Sequence, residues 1–368
     1  MIRVPEPRPL LPVLTRMSLG LALALVGAVV TWHGISVRPT PGLQAVSTLL
    51  DVPLDGPLPG DLVGSATLRF EGNRANIRLG ALGQQSPALL RGEASHRARN
   101  PVKVTTQRQG SNVNYTVRLY VKSLKDQGVV VTEPEPYQHQ LAIRLSPSVP
   151  LSLSTFTVGG NQTLNLQTLR VRALTARSDS GRTSLTLPGR PGGPYAVVSR
   201  SGRVEVSALP GASPEALRIN SVSGDLDLKL AGAVLDVLNA GTLSGNIQVI
   251  VPEKINRGSL TTLSGNVTVT VPRLSAGNLD IRTQSGNVSL SVPPQLRVRV
   301  RFTDRDTLLL PPGTPAATAP QLDIFVDTSS GKFKLNDPAL PSPSSAPAAN
   351  PSLSHAQNPT SPAPGGSR

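Results

Sequence analysis

The chain has 368 residues, contains no cysteine, and carries 36 Lys and Arg against 22 Asp and Glu, a net charge of +14. The absence of cysteine excludes disulfides and thiolate zinc sites. Aromatic residues make up only 3% of the chain, which favours a thin core of stacked aliphatic side chains over a thick globular core.

Residues 1–38 have the pattern of an export or anchoring segment. An uncharged, largely apolar stretch from 17 to 37 follows three basic residues, Arg3, Arg8 and Arg16. Such a stretch is either a cleaved secretory signal or a single membrane anchor, and in both cases the basic end stays in the cytoplasm. We therefore expect contact with a membrane through residues 17–37 and one N-terminal membrane helix, with the rest of the chain outside the cytoplasm. If the segment is cleaved, the protein is secreted or periplasmic.

Residues 39–147 alternate apolar and polar side chains, but less regularly than the residues that follow. The stretches Val113 to Val121 and Leu141 to Leu145 are typical of half-buried strands. We expect a β-rich lead-in or cap domain here, whose fold the pattern does not specify.

A repeat of about 21 residues runs through residues 148–336. The dipeptide Ser-Gly recurs with steps of 21, 22, 21, 20, 21 and 45 residues between successive serines. We interpret the last step as two repeats with one degenerate copy inside, and Val149 to Leu166 as a degenerate first repeat. The glycines of these dipeptides are Gly181, Gly202, Gly224, Gly245, Gly265, Gly286 and Gly331.

Within each repeat, apolar residues alternate with period two on both sides of Ser-Gly. Leu279 and Ile281 precede one such pair, and Val288 and Leu290 follow it. Two runs of this period joined at Ser-Gly predict a strand, a corner and a second strand. Glycine at the corner supplies either a positive φ or a close approach of two backbones. A fixed period of this length indicates a solenoid, so the repeats predict an all-β fold, a parallel β-helix with one coil per repeat.

Two polar columns accompany the corners. A Ser or Thr stands two residues before each serine, from Ser178 to Thr328, and Asn or Asp follows the glycine in several repeats, as in Asp225 and Asn246. We interpret the hydroxyl column as bonding to neighbouring backbone and the second column as an amide ladder. Residues 337–368 consist mainly of Pro, Ser and Ala, which predicts a disordered tail.

The pattern resembles a known bacterial family. The run Leu141-x-Ile143-x-Leu145, then Gly159-Gly160, then the repeated Ser-Gly-Asn-Val-x-Val, is similar over roughly 140–336 to the putative-adhesin β-strand-repeat family. It is also similar to the toastrack domain of membrane-associated regulators of cell-wall stress responses. The resemblance implies a right-handed β-helix that faces outward from the cell envelope, and it supplies no catalytic residue. Typical relatives have several membrane helices or an anti-sigma-like segment before the domain, whereas one short segment precedes it here, which disfavours signalling.

The sequence contains few candidates for catalytic or metal-binding residues. The four histidines are spread over the anchor, the lead-in and the tail, so we expect no metal site and no cofactor. A β-helical lyase or hydrolase acting on an envelope polysaccharide would need clustered carboxylates. Asp225 and Asp227 share a face and Asp280 could lie nearby, but Gln248, Thr268 and Ser289 follow in the column of Asp227, so we expect no acid pair. The enzyme therefore remains the alternative to a non-enzymatic protein.

A stripe of positive charge is the strongest indication of function in the sequence. Arg297, Arg299 and Arg301 alternate with apolar residues, so their side chains leave one face about 7 Å apart. They are candidates for binding an anionic envelope polymer, a lipid headgroup or an acidic protein, or they form the solubilising face of a terminal coil. A second basic cluster in the lead-in comprises Arg91, Arg97 and Arg99. Nucleic acid is not an expected partner, because the domain faces outward.

Together these observations predict a non-enzymatic cell-envelope protein that presents a β-helix for adhesion, scaffolding or envelope-stress sensing. A second alternative is a self-polymerising scaffold, since an uncapped end of a β-helix can associate with another end.

Overall fold

The structure is a computed structural model that describes residues 20–29, 42, 44–55, 62–121, 138–302, 305–309 and 321–336. Residues 20–29 form a short helix. No helix in these ranges is both long and apolar enough to cross a membrane. Most of the predicted membrane segment 17–37, and the whole predicted tail 337–368, lie outside the described residues.

The described residues form strands almost throughout, numbered here in chain order. The strands of the N-terminal part are β1 (Ala45–Pro53), β2 (Ser65–Gly72), β3 (Asn76–Ala81), β4 (Ala88–Arg97), β5 (Val102–Gln109), β6 (Asn112–Leu119) and β7 (Gln140–Leu145). Those of the repeats are β8 (Pro150–Thr157), β9 (Gln162–Asn165), β10 (Arg170–Ser178), β11 (Thr183–Thr186), β12 (Tyr195–Ser199), β13 (Val204–Ser207), β14 (Ala216–Ser221), β15 (Leu226–Lys229), β16 (Val234–Thr242), β17 (Ile247–Ile250), β18 (Lys254–Thr262), β19 (Val267–Thr270), β20 (Ala276–Thr283), β21 (Val288–Ser291), β22 (Val298–Phe302), β23 (Arg305–Leu309), β24 (Leu322–Thr328) and β25 (Phe333–Asn336).

These strands form two long, mainly parallel sheets. Sheet 1 has twelve strands in the order β1-β4-β7-β3-β9-β11-β13-β15-β17-β19-β21-β25. Sheet 2 has thirteen strands in the order β23-β22-β24-β20-β18-β16-β14-β12-β10-β8-β2-β6-β5. The predicted all-β class with long parallel sheets is therefore confirmed.

From β8 to β21 the chain alternates between the two sheets, one strand in each per repeat. The strand β18 pairs in parallel with β16 and β20 in sheet 2. After the corner at Gly265, β19 pairs in parallel with β17 and β21 in sheet 1. Each repeat is thus a strand, a corner and a strand, as the sequence predicts. The right-handed sense of the coil stays a prediction.

The strands of the lead-in extend the same two sheets. In sheet 2, β2 pairs in parallel with β8, and in sheet 1, β3 pairs in parallel with β9. A coil of the repeat architecture therefore exists at residues 65–81, although no Ser-Gly marks it. Beyond this coil, β6 pairs in parallel with β2 and β7 in parallel with β3. Antiparallel pairs follow, with β4 and then β1 in sheet 1 and with β5 in sheet 2.

The 45-residue step does not contain a coil between two repeats, so that part of the prediction is wrong. The strand β24 pairs directly with β20, and β25 pairs directly with β21. The intervening β22 instead pairs with the far side of β24 and, antiparallel, with β23. The physical reason is that the chain returns from β22 into the antiparallel β23, so it stays in sheet 2 at this point and does not cross to sheet 1.

The core lies between the sheets and is built from their inward side chains. Buried apolar residues form one continuous cluster from Leu50 to Val326. Alternation decides which side chains enter it: Val269 is completely buried, whereas its neighbour Thr268 is exposed. Each fully buried aliphatic side chain stabilises the fold by about 1.5–3 kcal/mol.

Candidate functional site

The repeated glycines allow two backbones to come close together at the corners. A Cβ on any of the seven would lie 1.8–2.2 Å from the carbonyl oxygen of the equivalent glycine one coil earlier. None of the seven has a positive φ. Only glycine fits such a stack. The same relation joins Gly160 to Ala75, whose carbonyl oxygen lies 1.9 Å from the position of that Cβ.

The Ser/Thr column closes the corners from inside. Its hydroxyl oxygens accept hydrogen bonds from the glycine amides three residues later, as in Gly265 N to Thr262 Oγ1 (3.0 Å) and Gly286 N to Thr283 Oγ1 (2.9 Å). Thr262 and Thr283 are buried. A buried amide without a partner is costly, so these hydroxyls are part of the fold.

The Asn/Asp column forms a ladder on the outside of the corners. The backbone amide of each member donates to the side-chain oxygen of the member below: Asn246 N to Asp225 Oδ1 is 2.8 Å, Asn266 N to Asn246 Oδ1 is 3.0 Å, and Asn287 N to Asn266 Oδ1 is 3.0 Å. The ladder continues past the 45-residue step, where Lys332 N donates to Asn287 Oδ1 at 2.9 Å. It therefore fixes the register of successive coils.

An acid pair does build up beside Asp227, contrary to the expectation from the sequence. Glu205 is its direct neighbour on β13, one coil earlier. The guanidinium of Arg203 bridges the two carboxylates, at 3.1 Å from Glu205 and 3.2 Å from Asp227. Lys229 lies 3.8 Å from Asp227. The expectation failed because it considered only the coils after Asp227, and the pair is part of an ion-pair network.

Asp280, which the sequence placed as a possible neighbour of Asp225 and Asp227, does not lie near Asp227. Asp280 is on β20 in sheet 2, whereas Asp227 is on β15 in sheet 1. The two belong to different halves of the coil, since Asp280 precedes its Ser-Gly corner and Asp227 follows one. The structure thus does not bring Asp280 to the acid pair.

Two of the histidines lie within the described residues, and both are buried. Nε2 of His96 lies 2.8 Å from Thr48 Oγ1, and Nε2 of His139 lies 3.0 Å from Asn100 Nδ2. In the part of the chain that the structure describes, no group of three or more His, Cys, Asp or Glu could hold a metal ion.

Two arginines of the predicted stripe, Arg299 and Arg301, lie on β22, and acidic side chains of the neighbouring strands pair with them. Val298 and Val300 are buried between the arginines. Arg301 forms an ion pair with Asp323 of β24. Nε of Arg299 is 4.0 Å from Asp306 Oδ1. The hydrogen bond and the charge of Asp323 raise the pKa of the Arg301 guanidinium. Arg297 immediately precedes β22.

In the second predicted cluster, Arg91 also has an acidic partner, with Nη2 3.2 Å from Asp51 Oδ2 on the neighbouring strand. Arg97 is the last residue of β4, and the backbone amide of Arg99 donates to Gly42 O at 3.0 Å. Arg91 and Arg97 thus lie on β4, the strand next to the edge strand β1 of sheet 1, and Arg99 follows shortly after it.

Charge is distributed unevenly over the two sheets. The strands of sheet 2 carry fourteen Lys and Arg against six Asp and Glu, a balance of +8, whereas those of sheet 1 carry six against four, a balance of +2. Five exposed arginines of sheet 2 have no ion pair among the described residues: Arg170, Arg172, Arg177, Arg218 and Arg257. Sequence reasoning missed this surface because its members come from different repeats. Arg177, Arg218 and Arg257 stand three, five and seven residues before the serines of their Ser-Gly pairs, and alternation places these odd offsets on the outward face.

A groove of about 450 Å³ lies on the outer face of sheet 2, across β16, β18, β20, β22 and β24. We call it the Gly258 groove; it is lined by Asn239, Arg257, Gly258, Ser259, Asn278, Leu279, Asp280, Arg282, Arg301, Asp323 and Phe325. A second groove of about 350 Å³ adjoins it and shares Asn239 and Ser259. One arginine of the predicted stripe, Arg301, thus meets two that the sequence analysis did not single out, Arg257 and Arg282.

Solved structures with a similar arrangement include two bacterial proteins. One is described as a putative cell adhesion protein from Clostridium sporogenes, 9% identical with a TM-score of 0.32, in a match covering 80% of this chain and all of that chain. The other is described as a putative adhesin from Bacteroides fragilis, 10% identical with a TM-score of 0.36, covering 82% of this chain and all of that chain.

No curated protein matches the chain. The model of one family, Toastrack DUF4097, matches residues 64–336 and so begins well before the stretch in which the sequence analysis placed the resemblance. Its first residue lies next to the start of β2, the first strand that pairs in parallel with the repeats. Since the match spans well over half of the chain and both sheets, the protein belongs to the Toastrack DUF4097 family.

Proposed function

We propose that this protein is a non-enzymatic binding protein of the cell envelope, which uses the outer face of sheet 2 for adhesion to, or scaffolding on, an anionic polymer. The observation that carries the proposal is the charge balance of +8 on the strands of sheet 2 against +2 on those of sheet 1. A protein face with an excess of positive charge attracts negatively charged polymers and speeds their association.

The regular spacing of the strands suits a polymer as ligand. Neighbouring strands lie about 4.8 Å apart, so outward side chains form rows with a fixed repeat. The glycine stack and the Asn/Asp ladder hold these rows in register. Binding therefore needs little ordering of the backbone, which reduces its entropic cost.

The location proposed for this activity is the outer side of a cell membrane. The basic residues before the apolar stretch 17–37 support a single-pass arrangement with residues after about 38 outside the cytoplasm. If the segment is cleaved, the same face would act in the periplasm or outside the cell.

Retention of the full-length chain on dextran sulfate beads tests the proposal, in mild detergent, at 0.1 M and 0.5 M salt. The test variant is R177Q/R218Q/R257Q, which removes three unpaired charges from sheet 2. The matched control is R78Q/R144Q/K334Q, which removes three exposed charges from sheet 1. Exposed charges interact through water, so attraction should weaken as salt shortens the Debye length from about 10 Å at 0.1 M.

We expect the wild type and the sheet 1 variant to be retained at 0.1 M salt and the sheet 2 variant to elute. An equal loss for both variants would show that net charge, and not the face, governs retention. Failure of the wild type to bind at 0.1 M salt would overturn the proposal.

A further inference from the structure

A β-bulge lies beside the Gly258 groove. The pairing of β18 with β20 shifts register between Ile255 and Gly258, so Asn256 and Arg257 together oppose Asn278. Both residues of the bulge are exposed. A bulge redirects side chains and is common beside binding sites. Of the two, Arg257 lines the groove.

The groove combines positive charge with acceptors. Three guanidiniums line it, from Arg257, Arg282 and Arg301, together with two carboxylates, from Asp280 and Asp323. Nη2 of Arg282 lies 2.7 Å from Asp280 Oδ2, and Arg301 pairs with Asp323. Arg257 has no ion pair among the described residues, so the charge left over is that of one guanidinium.

Hydrogen-bonding capacity in the groove is not fully used by the protein. Oδ1 of Asp280 is buried and has no hydrogen-bond partner. The amides of Asn239 and Asn278 and the hydroxyl of Ser259 line the same groove. Each amide can donate and accept at once. Groups of this kind match a ligand that carries several hydroxyls, because a hydroxyl also donates and accepts.

An apolar surface borders these polar groups. Phe325 lies directly opposite both Asp280 and Arg301 in the pairing of neighbouring strands. Its side chain is outward and 38% exposed. An exposed aromatic ring at this place can contact the C–H face of a sugar ring, while the polar groups contact its hydroxyls.

We propose that the Gly258 groove binds an acidic saccharide, a sugar unit that carries one carboxylate, with the carboxylate on Arg257 and the sugar ring against Phe325. One unpaired guanidinium matches one carboxylate in charge, and its planar fork binds it through two hydrogen bonds. A compact, multiply charged anion such as phosphate fits less well, because Asp280 and Asp323 would repel it. The volume of about 450 Å³ is in the usual range of ligand sites, about 300–1,000 Å³.

This inference rests on the proposed function and names the ligand class at one position of that face. It is tested by isothermal titration of the full-length chain with trigalacturonate. Maltotriose, which lacks the carboxylates, and inorganic phosphate are the comparison ligands. The test variants are R257Q and F325A, and the control is R78Q, which removes an exposed arginine from β3 of sheet 1, outside the proposed binding face.

We expect trigalacturonate to bind at least about tenfold more tightly than maltotriose or phosphate, since the charge-assisted pair is the strongest contact. R257Q should weaken that binding about tenfold or more and F325A severalfold, whereas R78Q should leave it unchanged. Circular dichroism of the variants checks that each one is folded. If F325A unfolds, R257Q and R78Q still decide the result.

Equal weakening by R257Q and R78Q, or equal binding of maltotriose, would overturn the inference. So would a preference for phosphate. Retention on dextran sulfate without binding of trigalacturonate would disprove saccharide binding in the groove and leave the proposed function intact. If trigalacturonate binds in a way that depends on Arg257 but the chain is not retained on dextran sulfate, the proposed function is disproved and saccharide binding in the groove is supported.

Discussion

The carbonyl oxygen of Gly245 lies 1.8 Å from the point where a Cβ on Gly265 would be. The two residues occupy the same corner of successive coils, and the backbone of one packs directly on the backbone of the other. No side chain can be accommodated there without separating the coils.

Gly265→Ala should therefore lower the free energy of unfolding by more than about 2 kcal/mol. Gly241→Ala is the control, because a Cβ there would be no closer than 3.6 Å to its nearest neighbour, Asn220 Oδ1. That control should change stability by less than about 1 kcal/mol. Urea unfolding of both variants makes the comparison, and similar losses would contradict the close approach.

Thr262→Val should destabilise the corner by about 1–3 kcal/mol, because it leaves the buried amide of Gly265 without its acceptor. The neighbouring Thr261→Val changes an exposed side chain and should have little effect. Amide hydrogen exchange at Gly265 provides a local readout that should accelerate only in the first variant. Unchanged exchange there would mean that the hydroxyl does not hold the amide.

Val269→Asp should destabilise far more than Thr268→Asp. The first places an unpaired charge in the core, where Val269 is completely buried, and the second adds a charge to an exposed position of the same strand. Thermal melts of the two variants measure the difference. Equal shifts in melting temperature would show that the register of β19 is inverted.

The stability should depend on pH through Tyr195. Its hydroxyl donates to Val171 O at 3.1 Å, and burial raises its pKa to about 12. Because the raised pKa favours the neutral phenol in the folded state, this contribution is complete below pH 10 and is lost between about pH 10 and 12. The loss amounts to roughly 2–3 kcal/mol.

Tyr195→Phe removes both the hydrogen bond and the titration. The variant should be less stable than the wild type by about 1 kcal/mol at pH 9, and this difference should shrink or reverse above pH 11. Urea unfolding of both proteins across this range tests it. A difference that stays constant with pH would refute the role of Tyr195.

Replacing Arg297, Arg299 and Arg301 together by Gln should reduce retention on dextran sulfate and leave folding nearly unchanged. The stripe and its two acidic neighbours then change from a net +1 to a net −2, since Asp306 and Asp323 remain. Exposed ion pairs contribute only about 0–1 kcal/mol each. Cosedimentation at low and high salt measures retention. Unchanged retention would assign these arginines to a solvated terminal strand.

The repeats allowed much of the fold to be predicted, because alternation and Ser-Gly together specify which side chains face inward. The coil at residues 65–81 escaped detection since Ala75 occupies the corner where later coils have glycine. The pair Glu205 and Asp227 could have been found by aligning every repeat. The Arg301 and Asp323 pair could not, because periodicity does not reveal that β24 inserts between β20 and β22.

The joint exposure of Asn256 and Arg257 was also beyond the sequence. A strict alternation would place these two residues on opposite faces, and only the local bulge exposes both. The groove combines residues of five strands, so its composition depends on the strand order near the 45-residue step. Pairing geometry, and not the residue types alone, creates this candidate site.

The Asn/Asp ladder has a consequence for how such proteins diversify. Each rung uses only the coil immediately below, and Asn246, Asn266 and Asn287 are chemically identical as donors and acceptors. A duplicated stretch of one period would therefore find every partner it needs, and a deleted stretch would leave matching ends. Length of the binding face can thus evolve by gain or loss of whole units, without redesign of any contact between them.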